Sequence, residues 1–221
     1  MDERGQKAII SALWNGYQDA AISQRALASL RTLICPFERI IRHIPPAARV
    51  LDVGCGTGAM LNLLASQGRI SEGVGCEINQ QALAAAENAA RRLNVTSVRF
   101  QHASTASEWP AEPFDVVCLI DVLHHVPVAV QGGFFFEAAS RVKHGGLLIY
   151  KDMAERPLWR AWANRMHDLV LARQWINYVN MEQAKAWAES TGLVAIERDA
   201  FAIGPYAHEL SVFARPPAVA K

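Results

Sequence analysis

Arg49-Val50-Leu51-Asp52-Val53-Gly54-Cys55-Gly56-Thr57-Gly58-Ala59-Met60-Leu61 decides how the rest of the chain is read. The stretch opens as a short apolar strand, passes through alternating glycines and re-enters as a helix. Such a turn lets backbone approach a ligand closely. Asp52, at the strand end, is the wrong charge for a phosphate cradle and suits a cationic or hydroxyl-rich ligand. Twenty-one residues after Gly56, a second apolar run ends in Glu77. An acid at the end of the second strand is where a ribose diol is held. On these features the ligand is a dinucleotide or another adenosine compound. The loop reads Gly-x-Gly-x-Gly and follows an acid, which tilts it away from pyrophosphate.

Working outward, strand and helix alternate. Strands are expected over 49–53, 73–77, 97–102, 114–120 and 147–151, with helices over 59–67, 80–93 and 134–142 between them. The 114–120 run is almost wholly apolar, as in a strand buried on both faces. This is the pattern of a doubly wound, mostly parallel α/β sheet. Residues 153–178 form a long helical stretch rich in Trp159, Trp162, Trp175 and Tyr178. Asn180, with Gln183 three residues on, reads as a helix start, and Thr191-Gly192 as its end. Strands over 193–199 and 208–214 close the pattern. Upstream, 8–17 reads as a short helix or an ordered arm, 19–34 as an amphipathic helix and 37–44 as a short helix stopped by Pro45-Pro46. The organisation is an N-terminal helical arm or lid (1–48), one domain (49–214, insert at about 153–178) and a frayed tail (215–221).

The 221 residues are 51% hydrophobic and 19% charged, with a net charge of +1. That balance and the lack of any lysine or arginine run argue against a nucleic-acid partner. Cys35, Cys55, Cys76 and Cys118 are scattered, without metal or disulfide spacing. Free thiols near buried strands fit a reducing compartment, so a cytoplasmic location is expected. No apolar run approaches membrane-spanning length.

Residues 50–58 resemble motif I of class I S-adenosylmethionine-dependent methyltransferases. Further segments match in order: Gly75-Cys76-Glu77-Ile78, Phe114-Asp115-Val116-Val117-Cys118-Leu119-Ile120, Leu123-His124-His125-Val126 and Arg141-Val142-Lys143-His144-Gly145-Gly146-Leu147-Leu148-Ile149. The resemblance covers about residues 44–214. It implies a Rossmann-like seven-stranded sheet whose last strand is antiparallel, with S-adenosyl-L-methionine as cofactor. Gly54, Cys55, Gly56 and Gly58 would line the cofactor by backbone contact, and Asp52 would lie near its methionine moiety or ribose. Glu77 would hold the ribose hydroxyls, Ile78 would pack on adenine, and Ala103 would stand at the adenine edge. Asp121 and Leu123 would flank the sulfonium. Many relatives carry an acid at the end of strand three. Here Phe100-Gln101-His102-Ala103 leaves His102 or a backbone carbonyl for the adenine amino group.

Methyl transfer to a hydroxyl is helped by a nearby base, and histidine titrates in the right range. His124 and His125 follow strand four, at the carboxyl ends where ligands bind in such sheets. A packing role is the competing reading for both. The antiparallel last strand brings the 201–207 turn to the same edge, with Tyr206 as pocket wall and His208 as a third candidate base. His167, on the insert, reads more readily as a solvated residue. Asp121 and Asp152 end strands four and five, yet Met153 stands where a metal site would want a further oxygen donor, so no metal is expected. Lys151-Asp152 then reads as a local ion pair. Trp159, Tyr178 and Tyr206 would wall the pocket of a small-molecule acceptor, although tryptophans at helical spacing equally pack an insert onto a body.

Asp121-Val122-Leu123-His124 lacks the Pro-Pro-aromatic pattern of methyltransferases acting on adenine or glutamine amides. O-methylation of a phenolic or polyketide-like metabolite is the leading reading. C- or N-methylation, a cofactor-binding regulatory protein without transfer activity, and an NAD-dependent dehydrogenase are the alternatives. Monomer and homodimer both stay open.

Overall fold

Apolar runs punctuated by glycine, asparagine and proline fold into alternating strands and helices. The computed structural model describes residues 17–18, 37–154, 177–203 and 206–218. The chain divides into two compact units, Met1–Trp109 and Pro110–Lys221. Among the described residues, a seven-stranded sheet has the order β3-β2-β1-β4-β5-β7-β6.

In the first unit, α1 (Phe37–Ile41) buries Phe37, Ile40 and Ile41 and stops short of Pro45. β1 (Ala48–Val53), β2 (Ile70–Glu77) and β3 (Val98–His102) are parallel, with Val50 opposite Gly73 and Gly75 opposite Phe100. α2 (Ala59–Ser66) leaves the glycine turn and buries Met60, Leu61, Leu63 and Leu64. α3 (Gln80–Arg92) starts at Asn79, whose side chain accepts from the Gln81 and Ala82 backbone N–H groups. Its Ala85, Ala86, Ala89 and Ala90 form a buried small-residue stripe, which lets the helix lie close to its neighbours. β2 begins at Ile70, three residues before the expected start, because Ile70 is buried ahead of two polar residues.

In the second unit, β4 (Phe114–Ile120) is the apolar run anticipated and pairs in parallel with β5 (Val142–Met153). β5 is longer than the expected 147–151. Val142 already pairs with Phe114, and the Gly145-Gly146 stretch is a register irregularity inside the strand. α4 (Val128–Ser140) starts six residues before the expected 134, directly after Pro127. Val128, Val130, Gly132 and Gly133 are poor helix formers, which hid this first half. α5 (Met181–Ser190) is capped by Asn180, which accepts from Gln183 N–H at 2.9 Å, as the spacing predicted. β6 (Val194–Ile203) and β7 (Tyr206–Ala214) pair as far as Ile203 opposite Tyr206, and β7 is antiparallel to both β5 and β6. The expected loop over 201–207 is therefore mostly strand.

Arg215 is not frayed. Its backbone exchanges two 2.9 Å hydrogen bonds with Gly145 and Gly146, and its guanidinium donates to the Ala139 carbonyl at 2.8 Å. The 8–17 segment apart from Tyr17, the expected helix over 19–34 and most of the 153–178 insert lie outside the described residues. Of that insert, Met153 belongs to β5, and Asn177 to Asn180 form an irregular connection.

Candidate active site

The first unit builds a loop with its hydrogen bonds turned inward. Gly54, Gly56 and Gly58 all have positive φ, at 73°, 55° and 69°. The Gly54 and Cys55 N–H groups donate to the Cys76 carbonyl on β2, at 2.8 and 3.1 Å. Gly56 N–H donates to Glu77 Oε2 at 2.9 Å, and Gly58 N–H closes a turn onto the Cys55 carbonyl at 2.9 Å. All four N–H groups are thus engaged within the protein. Backbone contact from these residues to a ligand runs through Cα and carbonyl groups, an arrangement unsuited to a pyrophosphate.

Glu77 has a double task. Besides Gly56, its carboxylate accepts from the Ile78 and Asn79 N–H groups, both at 2.9 Å. It therefore ties the glycine loop to the end of β2 and the start of α3. Ile78, beside it, is 63% exposed, an open apolar shelf of the kind a purine face covers. Asp52 and Ala103 are buried, and Ala103 N–H donates to the Glu77 carbonyl at 3.0 Å. Phe100 lies under the loop, unanticipated by the sequence reading. A Cβ on Gly58 would stand 2.5 Å from the Phe100 ring. One on Gly75 would stand 2.6 Å from that ring and 2.7 Å from Cys55 Sγ. Gly58 serves this packing as well as its left-handed backbone. These features fit an adenosyl group: a carboxylate for a diol, an apolar shelf for a purine and a loop whose Gly54, Cys55, Gly56 and Gly58 N–H groups turn inward.

The second unit carries two buried polar pairs. Asp121 follows β4 in the left-handed region, at φ 51°, a strained conformation for a residue other than glycine. Its N–H donates to the Lys151 carbonyl at 2.8 Å, and its Oδ1 accepts from Lys151 Nζ at 2.6 Å. Lys151 is completely buried. The expected Lys151–Asp152 ion pair is not formed. Adjacent strand residues point to opposite faces, so Lys151 reaches Asp121 while Asp152 reaches His124.

His124, in a 3-10 turn over Leu123–His125, is 2% exposed, and Asp152 is 1% exposed. Its Nδ1 forms a short hydrogen bond with Asp152 Oδ1. The same carboxylate accepts from His124 N–H at 3.3 Å and Met153 N–H at 2.7 Å. A carboxylate only accepts, so Nδ1 is the donor, and in the neutral ring Nε2 holds the lone pair. The buried Gln131 side chain donates to the Leu123 and Asn177 carbonyls, both at 3.0 Å, and Asn177 N–H donates to the His124 carbonyl. Asn177 is thereby fastened to the histidine turn. Tyr178 is half-buried beside it. The buried Leu123 lies in the same turn.

His125 is exposed, with its ring centroid 4.1 Å from that of His124. His208, opposite Met153 in the β5–β7 ladder, is fully buried and stacks on Phe201 at 5.3 Å. Burial first, and the Lys151 charge second, push its pKa down from 6.5 to about 4. The Tyr150 hydroxyl donates to the Val179 carbonyl at 2.8 Å, and burial holds its pKa well above the usual phenol value. Tyr206 opens β7 opposite Ile203. Trp159, with Trp14, Trp162, Trp175 and His167, lies outside the described residues. The structure thus joins His124 to Asp152 and Asp121 to Lys151, and it places His208 on β7 within the field of Lys151, Asp121 and Asp152.

A family model described as a methyltransferase domain matches residues 23–198. The chain is 26% identical over 197 residues to ubiquinone biosynthesis O-methyltransferase of Bradyrhizobium diazoefficiens, covering 84% of this chain and 75% of that one. It is 26% identical over 185 residues to the protein of the same name from Ruegeria sp. TM1040, covering 80% and 73%. Its fold is similar to that of magnesium protoporphyrin IX methyltransferase from Synechocystis PCC 6803 with bound SAH. That likeness has a TM-score of 0.67 at 16% identity, over 86% of this chain and 84% of that one. A Haloferax volcanii putative methyltransferase complex aligns with TM-score 0.72 at 14% identity, covering 88% and 94%. With the family model spanning most of the chain, this protein belongs to the class I S-adenosyl-L-methionine-dependent methyltransferases.

Proposed function

We propose that this methyltransferase O-methylates a phenolic small molecule, with His124 as the general base and Asp152 holding it. The buried His124–Asp152 pair is the observation that supports this reading. A carboxylate on Nδ1 fixes the ring, leaves the basic lone pair on Nε2, and favours the imidazolium formed when a phenol proton is taken. His208 is the weaker candidate, because a base with a pKa near 4 has little driving force to take a phenolic proton at neutral pH. His125 serves as an exposed neighbour of the His124 ring.

Asp52, Gly54, Cys55, Gly56, Gly58, Glu77, Ile78 and Ala103 are assigned to the cofactor, with Asp121 and Leu123 at its sulfonium end. Bound there, S-adenosyl-L-methionine supplies a methyl group activated for in-line displacement. Glu77 takes the ribose hydroxyls and Ile78 the purine face. Tyr178 and Tyr206, with Trp159, are assigned to the acceptor. The curated relatives named as O-methyltransferases lend the oxygen acceptor support.

The test is turnover with catechol, aniline and a β-keto ester, read as S-adenosylhomocysteine formed. Catechol is expected to be methylated, and His124→Gln to lower that turnover about 100-fold or more while S-adenosylhomocysteine still binds. Preference for the aniline or the keto ester moves the reading to N- or C-methylation. Binding without turnover on any acceptor would favour a regulatory role.

A further inference from the structure

The glycine loop has a peptide that β2 does not hold. Gly54, Cys55 and Gly56 N–H groups are all tied to Cys76 and Glu77. The Thr57–Gly58 peptide is held differently. Its N–H closes the turn onto Cys55, and its oxygen accepts a short hydrogen bond from the Tyr17 hydroxyl, forty residues upstream. Tyr17 is 1% exposed, so this is no surface contact. Its hydroxyl also accepts from Asn62 Nδ2 at 3.2 Å, and the same amide donates to the Ala86 carbonyl on α3 at 3.0 Å. Donors and acceptors run in one direction: Asn62 to Tyr17 to Thr57.

Asn62 sharpens the point. It is fully buried inside α2, where an apolar residue would fit the surrounding core. Its Oδ1 has no hydrogen-bond partner among the described residues. A half-satisfied buried amide is unfavourable, and what it does satisfy is the Tyr17 hydroxyl and the α3 backbone. The sequence reading placed Tyr17 in an N-terminal arm or lid. The geometry makes it a strut that fixes the glycine loop.

We propose that Tyr17 is a positioning residue for cofactor binding: its hydroxyl locks the Thr57–Gly58 peptide, so that seating of Tyr17 and cofactor binding are linked. Gly58 has φ 69°, and glycine peptides reorient readily when nothing holds their carbonyl. Whatever orders the loop before binding lowers the ordering that binding must impose. By linkage, a bound cofactor in turn holds Tyr17 in place.

This inference rests on the assignment of the glycine loop to the cofactor, and the test separates the two. S-adenosylhomocysteine affinity is measured by calorimetry for the full chain, Tyr17→Phe and Glu77→Ala. Tyr17→Phe is expected to weaken binding about tenfold, the scale of one lost buried hydrogen bond. The KM for S-adenosyl-L-methionine should rise with it, while kcat falls much less. A purely structural tyrosine would lower the apo melting temperature and leave the Kd alone. Unchanged affinity in Tyr17→Phe, with binding lost in Glu77→Ala, overturns the proposal and spares the loop assignment. Binding retained in Glu77→Ala overturns both. Should Tyr17→Phe not fold, hydrogen exchange of the wild-type chain decides. Saturating S-adenosylhomocysteine is expected to slow exchange in the peptide spanning Tyr17, and no slowing there overturns the linkage.

Discussion

His124 and Asp152 form a unit in which neither side chain is neutral to the loss of the other. Asp152→Ala leaves the buried imidazole and two backbone N–H groups without their acceptor. Breaking a buried pair from one side costs about 3–5 kcal/mol, so denaturant unfolding should show a loss of that order. Asp152→Asn keeps the volume and can offer an N–H to Nδ1, which selects the other tautomer and turns the lone pair away from Nε2. Its turnover is therefore expected to fall far more than its stability, as measured by kcat alongside the unfolding midpoint. His208 makes a different prediction. Its folded pKa of about 4 lies below its ordinary 6.5. Between those values the unfolded chain takes up a proton that the folded chain does not. The stabilisation is complete above pH 6.5 and drains away as pH falls to about 4, by on the order of 3 kcal/mol. Wild type should lose stability between pH 7 and 4.5 more steeply than His208→Gln, when both are unfolded by urea.

At the level of elements, Phe100 of β3 sets what the glycine loop and β2 can tolerate. Gly58→Ala meets the ring and a positive φ together, while Gly75→Ala meets only crowding, from Phe100 and Cys55. Each is expected to lower stability by about 1–3 kcal/mol. Adding Phe100→Leu should restore Gly75→Ala more than Gly58→Ala, because a smaller ring neighbour does nothing for the backbone strain. Thermal midpoints of the four variants check this. In α4, Gly133 has open space at its Cβ position and a helical backbone. Gly133→Ala should raise stability by roughly 0.5–1 kcal/mol.

On the scale of the whole molecule, the seven-stranded sheet and its antiparallel β7 match the expectation drawn from alternating apolar runs and the family resemblance. Local signals were readable: β4 to the residue, the Asn180 cap, the acid closing β2. What stayed hidden depends on long-range partners. Asp152 lies 28 residues from His124 and Tyr17 lies 40 from Thr57. Sequence spacing says which residues share a strand or helix face, not which distant side chain fills the remaining valence. Lys151 illustrates the limit, since a local reading paired it with its neighbour when strand alternation sends it to Asp121. The chain end was misread for the same reason. Arg215 has four hydrogen bonds, to Gly145, Gly146, Ala139 and Thr191. Removing residues 217–221 should leave the melting temperature unchanged, whereas Arg215→Ala should lower it measurably.

Glu77 holds three backbone N–H groups in the protein as it stands, and it is also the carboxylate assigned to the ribose. Recognition and scaffold are thus written in one side chain. A descendant of this protein could not drift toward a different nucleoside by changing that acid alone, because the loop would lose its clasp in the same step. A new ligand preference would require a second residue to take over the scaffold task first. The acid is held in place by history as much as by chemistry, and the freedom to diverge lies with the acceptor-binding residues instead.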